Sequence, residues 1–335
     1  MYRPRLSVKQ VRTAVGALSL LLFAQTALWL CYDIVDRGLP GAWELWNSNS
    51  GAGLAATTSL DLGLAALQLT AGWAALIQAR GAGGLLVVSC AATLLFRLPV
   101  VWYMLLDSPS DPWFGSLEGA PVTAVGVTCL LAVVIAVALG VLLLDVRRME
   151  TEARATADLT VGGVRPVKVT AAASGALVTV LNVFYIARNA VTAIDVGPRT
   201  LTDLLVGRGA GTSVLGVSSP YQWTCLTVLC GLGLYVAARR RPVATGVSLG
   251  LAALMMPPAF SELWGYLVAG TVSQTAVDVA QNLLELVGSG AVVALIVIDG
   301  LRDRRGGLWL TPTPPAPEDD TAPATPEPDL ASTDA

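Results

Sequence analysis

Histidine is absent from the 335 residues, which excludes bis-His haem, the usual zinc sites and any imidazole general base. Lysine occurs only at positions 9 and 168, neither deep inside an apolar block, so a retinal-type Schiff base has nowhere to form. Charge is also scarce. Charged residues make up 13% of the chain against 54% hydrophobic, with a mean hydropathy of +0.64. A soluble domain could not hide that apolar excess, so much of the surface must face lipid. The five cysteines, at positions 31, 90, 129, 225 and 230, fall inside or at the ends of apolar blocks and suggest no disulfide framework. Missing too are a Walker lysine loop, a Gly-rich dinucleotide fingerprint, an Asp-rich diphosphate motif, a protease signature and a serine elbow. No metal and no cofactor are therefore expected. The basic residues are scattered among short loops and form no basic face, which argues against nucleic-acid binding.

What the chain does have is eight apolar blocks, at about residues 11–35, 58–79, 85–106, 121–144, 169–194, 221–238, 243–268 and 275–298. About 20 residues at ~1.5 Å each cross a hydrocarbon layer of ~30 Å. The sequence thus predicts an all-α integral membrane protein of about eight transmembrane helices. The first block is too long for a signal-peptide core and ends in Trp29 and Tyr32 rather than a cleavage site, so it reads as an uncleaved helix. The organisation that follows is an N-terminal segment 1–10, spans one to four in 11–145, a basic loop 146–168, spans five to eight in 169–300 and a tail 301–335. Arg80-Gly81-Ala82-Gly83-Gly84 reads as a glycine turn and Arg239-Arg240-Arg241-Pro242 as a basic one with a helix-stopping proline.

Loop charge sets the orientation. If the N-terminus is cytoplasmic, all but three of the loop Lys and Arg residues lie inside, the exceptions being Arg37, Arg199 and Arg208. Both termini are then cytoplasmic, in the inner membrane of what the Arg- and Ala-rich composition suggests is a bacterium. Trp29, Trp102, Tyr103, Tyr221, Trp223, Trp264 and Tyr266 gather near the outer ends, as an interfacial belt would. The Pro- and acid-rich tail cannot bury enough apolar surface to fold and is expected to be disordered. Similar endings of the fourth and eighth spans, Leu144-Asp145-Val146-Arg147-Arg148 and Ile298-Asp299-Gly300-Leu301-Arg302, admit a parallel 4+4 helix repeat.

Polar residues within the spans are the candidates for function. Arg97, Arg188, Glu262 and Glu285 each sit in an apolar block, where insertion scales charge a basic group about 2.5–3.5 kcal/mol. Counting from the outer ends at ~1.5 Å per residue puts Arg97 and Glu285 at ~14–15 Å depth and Arg188 and Glu262 at ~9 Å. Matching levels suggest the pairs Arg97–Glu285 and Arg188–Glu262. The eighth span carries Asp278, Gln281, Asn282 and Glu285 on one helical face, and the fifth carries Asn182, Tyr185, Arg188, Asn189 and Thr192. Asp61 and Gln68 in the second span, with Gln25 and Asp33 in the first, complete a set in the outer half that predicts a polar cavity open to the exterior. The plainer alternative is interhelical glue, at about 0.6 kcal/mol per hydrogen bond.

Three functions fit. The first is transport or binding of a small polar or amphipathic molecule, with Arg97 or Arg188 meeting an anionic group and Asp278 or Glu285 binding a cation or proton. The second is an intramembrane enzyme on a lipid or isoprenoid, with Glu262 or Glu285 as general acid. The third is a structural or signalling protein whose tail recruits a cytoplasmic partner. Membrane lipids and an unidentified small molecule are the expected partners, and an activity other than catalysis is preferred.

Overall fold

The computed structural model describes residues 8–47, 55–79, 81–106, 120–156, 168–206, 213, 215–239 and 243–307. Nine helices and no strand occur among them: α1 (Val8–Trp46), α2 (Ser59–Leu76), α3 (Ala82–Leu106), α4 (Ala120–Thr156), α5 (Lys168–Val196), α6 (Pro198–Val206), α7 (Ser219–Ala238), α8 (Ala244–Ala269) and α9 (Ala276–Gly307). All but α6 are long and apolar enough to cross a membrane, giving eight candidate spans. The sixth to eighth apolar blocks of the sequence are thus α7, α8 and α9. Of the expected tail 301–335, residues 301–307 continue α9 as helix and the remainder lies outside the described residues.

Several boundaries differ from the block pattern for local reasons. α1 continues past the first span because Gly38, at φ 71°, breaks the helix and Pro40 restarts it within the first turn of a second piece. That piece turns inward, placing Trp43 at 6.3 Å from Phe260 of α8. α4 runs on to Thr156, so part of the basic segment is helical. α6 is a short amphipathic helix in the connection between α5 and α7, begun by Pro198 and tied to α7 by Ser218, whose hydroxyl donates to the Leu204 carbonyl at 2.7 Å. The glycines after α2 serve proximity. Gly81 and Gly84 let α3 meet α8 at Gly246 and Val243, where a Cβ on Gly84 would sit 2.5 Å from the Val243 carbonyl oxygen.

Two ends of the bundle can be named by what meets there. At the turn end, the α2–α3 and α7–α8 connections touch. At the opposite loop end, Ala55 and Ser213 form an isolated bridge, and Leu215 N–H donates to the Ala56 carbonyl at 3.0 Å. Between the ends, Leu64 and Leu67 of α2, Phe96 of α3, Leu229 of α7 and Leu254 of α8 share one buried core. α4 contributes a face in the other sense: Val127, Leu130, Leu131, Val134, Val137 and Val141 are each at least 50% exposed, an apolar stripe suited to lipid.

Prolines inside spans free carbonyls, and two of these are approached by a neighbouring helix. Pro99 in α3 cannot bond Leu95, whose oxygen accepts instead from the Tyr221 hydroxyl at 2.7 Å. Pro258 in α8 likewise leaves Leu254, and Gly63 of α2 packs directly on that carbonyl. The packing of the two halves differs. α4 runs close along α1 and α3, whereas α9 keeps its backbone farther from its neighbours and is reached by side chains. Residues up to Ile296 form one compact unit and those from Val297 a second.

Gly63→Ala is expected to destabilise the purified protein by about 1–3 kcal/mol, the usual range for overpacking. Gly175→Ala, whose Cβ would meet nothing within 4 Å, should leave the thermal midpoint unchanged or raise it. Thermal unfolding in detergent followed by size-exclusion chromatography separates the two.

Candidate functional site

The polar side chains gather into two groups. In the first, Arg97 of α3 pairs with Asp61 of α2 at 2.5 Å, both nearly sealed from solvent. The other Asp61 oxygen accepts from the Thr58 N–H at 2.8 Å and from the Thr58 hydroxyl at 3.2 Å, so one carboxylate holds both a guanidinium and a helix start. One turn and more below, Gln68 accepts from the Thr26 hydroxyl at 2.9 Å and donates to Thr93 at 3.0 Å, bridging α1, α2 and α3. Asp33 of α1 is buried beneath the segment before α2. Its oxygens accept from the backbone N–H groups of Ala56 at 3.0 Å and Thr57 at 2.8 Å and from the Thr57 hydroxyl, and Trp46 donates to that hydroxyl at 2.9 Å. This group secures the loop end with its own hydrogen bonds.

The second group lies between α5, α8 and α9. Glu285 of α9 accepts from the Tyr185 hydroxyl of α5 at 2.8 Å and from the Gln281 amide at 2.9 Å. Glu262 of α8 accepts from the Ser59 hydroxyl of α2 at 2.8 Å and from the Asn282 amide at 3.0 Å. Gln281 and Asn282 are adjacent on α9, so the two carboxyl groups belong to one cluster, Glu285 buried and Glu262 half-buried. Every one of those donors is neutral. Nearer the loop end, Arg188 of α5 pairs with Asp278 of α9 at 2.6 Å and lies 4.4 Å from the ring centre of Trp223. Asn189 donates to Thr224 of α7 at 3.1 Å, while the amide oxygens of Asn182 and Asn189 are buried without a hydrogen-bond partner.

Both arginines therefore have carboxylate partners, but not those expected from depth. Arg97 pairs with Asp61 rather than Glu285, because α3 packs against α2 and not against α9. Arg188 pairs with Asp278 rather than Glu262 because a guanidinium on its long stem reaches outward by about a turn. Counting residues along a span ignores both neighbour identity and side-chain reach. Of the expected site residues, Asp61, Gln68 and Arg97 belong to the first group. Glu262, Asp278, Gln281, Asn282, Glu285 and Arg188 come together in the second, with Asn182 and Asn189 on the same helix as Arg188.

Two crevices lie below the second group. A crevice with room for about one water lies between α5, α8 and α9, lined mostly by apolar side chains such as Leu177, Leu181, Leu251 and Met255 together with Ser174, Ser248 and Ser289. A second, equally small one shares Ser174 and Ser248 and reaches Thr170 and Thr245 toward the turn end. Ser59 and Ser289 were not among the sequence candidates. Ser289 follows Glu285 by four residues and so continues the α9 stripe, a spacing that could have revealed it; Ser59 has no such signal.

Comparison with protein-family models, with curated proteins and with solved structures finds no match. The class is defined by the fold itself: a polytopic α-helical membrane protein with eight candidate spans.

Arg97→Met should destabilise the bundle by about 3–5 kcal/mol, since it strands a buried carboxylate. Adding Asp61→Asn to that variant is expected to recover much of the loss, whereas adding Glu285→Gln should recover none. Midpoints from denaturant or thermal unfolding of the three variants decide which carboxylate is the partner.

Proposed function

We propose that this membrane protein binds and transports a small cation, organic or a proton, at the Glu262–Glu285 group. The observation that carries the reading is the distribution of charge. Arg97 and Arg188 are each matched by an aspartate, whereas Glu262 and Glu285 accept only from hydroxyls and amides. Two clustered carboxyl groups in an apolar span need a positive charge to offset burial, and among the described residues no Lys or Arg supplies one to them. A proton or a ligand cation fills that role. Because the arginines are already engaged, an anionic substrate is the less natural fit.

Further support comes from how the group is mounted. Tyr185, Gln281 and Asn282 orient the carboxyl oxygens without adding charge, and α9 stands off from its neighbours. A helix held by side-chain hydrogen bonds can separate from the bundle at lower cost than one locked backbone to backbone, which suits a moving element. The positive-inside count assigns the turn end to the cytoplasm.

Solid-supported-membrane recordings on proteoliposomes test this reading, using ammonium, choline, a longer quaternary amine and a proton gradient in turn. A transient current is expected with at least one of these, lost in both Glu262→Gln and Glu285→Gln and retained in Asn189→Ala. Absence of current with all four in the wild type, or currents unchanged in both Gln variants, would reject it.

A further inference from the structure

We propose that Arg188 and Asp278 form a latch at the loop end, closing the seam between α5 and α9 over the Glu262–Glu285 group and parting to admit the cation. The inference rests on those glutamates being the cation site, and adds to it how access from the loop side is controlled.

Chain connectivity picks out this seam. α5 packs along α7, α7 meets α8, and residues 270–275 tie the start of α9 to the end of α8. No such connection joins α5 to α9, and the α9 backbone keeps off its neighbours. Side chains bridge the gap instead. Leu177 occupies the space that a Cβ on Gly288 would need, Tyr185 donates to Glu285 at 2.8 Å, and Arg188 reaches Asp278 at 2.6 Å. The last of these is the outermost, because Asp278 stands in the first turn of α9, about two turns or ~10.5 Å before Glu285. A ligand approaching Glu285 along the seam from the loop end meets the pair first.

Two features suit this pair to opening. Its side chains are 22% and 35% exposed, against 5% and 3% for Arg97 and Asp61. At a partly exposed pair water can replace either partner, whereas parting a sealed one strands a charge. The other feature is where each half is anchored. Arg188 stays with α7: its guanidinium carbon lies 4.4 Å from the Trp223 ring centre, and the neighbouring Asn189 donates to Thr224 at 3.1 Å. If α9 moves off, the aromatic face still receives the guanidinium. Asp278 travels with α9 and becomes a free carboxylate at the mouth of the site. An incoming cation then meets negative charge, with Arg188 drawn aside.

Distances between spin labels on the full chain in lipid nanodiscs test the latch. Cys31→Ser removes the exposed native thiol. In that background, labels on Val191→Cys and Val277→Cys report the outer end of the seam, and labels on Val180→Cys and Val287→Cys report farther in; all four positions are at least 50% exposed. Asp278→Asn and Arg188→Gln should each add a longer distance at the outer pair and none at the inner pair. The wild type should gain the same component as salt is raised to about 1 M, where the Debye length is about 3 Å, a readout that needs no change at the latch itself. Trp223→Leu should diminish that component. Outer distances unmoved by both substitutions and by salt, or lengthening at both ends alike, would overturn the proposal. In cation-current recordings both latch variants should lower the half-saturating concentration severalfold, because more of the protein is competent to bind. A fall in Arg188→Gln alone would reflect the removal of a positive charge and count against a latch. Outer opening without any cation current would leave the latch standing and remove the cation reading; glutamate-dependent currents with an unmoved seam would do the reverse.

Discussion

Charge balance inside an apolar bundle is the constraint on which the rest depends. A guanidinium or carboxylate in a span has no water to meet it, so the protein itself must supply a partner. Arg97 with Asp61 does this while also fixing the start of α2 through Thr58. Arg188 with Asp278 does it nearer the loop end, with Trp223 against the guanidinium. Once those two pairs are made, Glu262 and Glu285 are left with neutral donors alone. The bundle is thus divided into a part whose polar groups close on one another and a part whose charge is incomplete.

That division follows the packing. α1, α2, α3, α4 and α8 approach closely, with Gly63, Gly84 and Gly246 allowing backbone contact and the prolines of α3 and α8 surrendering carbonyls that neighbours take up. α5 packs along α7, and α9 stands farther off. The incomplete charge straddles that boundary, Glu262 on the closely packed α8 and Glu285 on α9. Rigid support on one side and a less constrained helix on the other is the arrangement a binding site that must open would use.

Much of the fold was legible because membrane spans announce themselves by length and hydropathy, and the eight blocks correspond to eight helices to within a few residues over most of their lengths. The pieces that escaped were those outside the spans. The helix after Gly38 and the short α6 carry mixed polarity, and their stability comes from packing on α8 and α7 rather than from an apolar run. For the site, the sequence supplied the right residues but joined them wrongly. Arg97, Arg188, Glu262 and Glu285 are visible as anomalies in one dimension, yet which carboxylate meets which arginine depends on helix adjacency, and that is a property of three dimensions. Asp61 and Asp278 were read as cavity residues, Asp278 with Glu285 as a ligand for a cation or proton, and neither was matched to an arginine. In the folded bundle they are the ion-pair partners, and their pairing is what leaves the two glutamates as the chemically open groups. Ser59, Ser174 and Ser248 are silent in the sequence because a serine in a span is too common to draw notice, whereas Ser289 continues the α9 stripe.

Proton release on binding an organic cation tests the central claim most directly, because it asks whether Glu285 carries a charge deficit that a ligand can fill. Purified protein in weak buffer is titrated with the cation that gives a current, and the pH is followed. On the present reading the wild type releases a proton as the cation binds and Glu285→Gln does not. Binding with no proton release, or release that persists in Glu285→Gln, would contradict it.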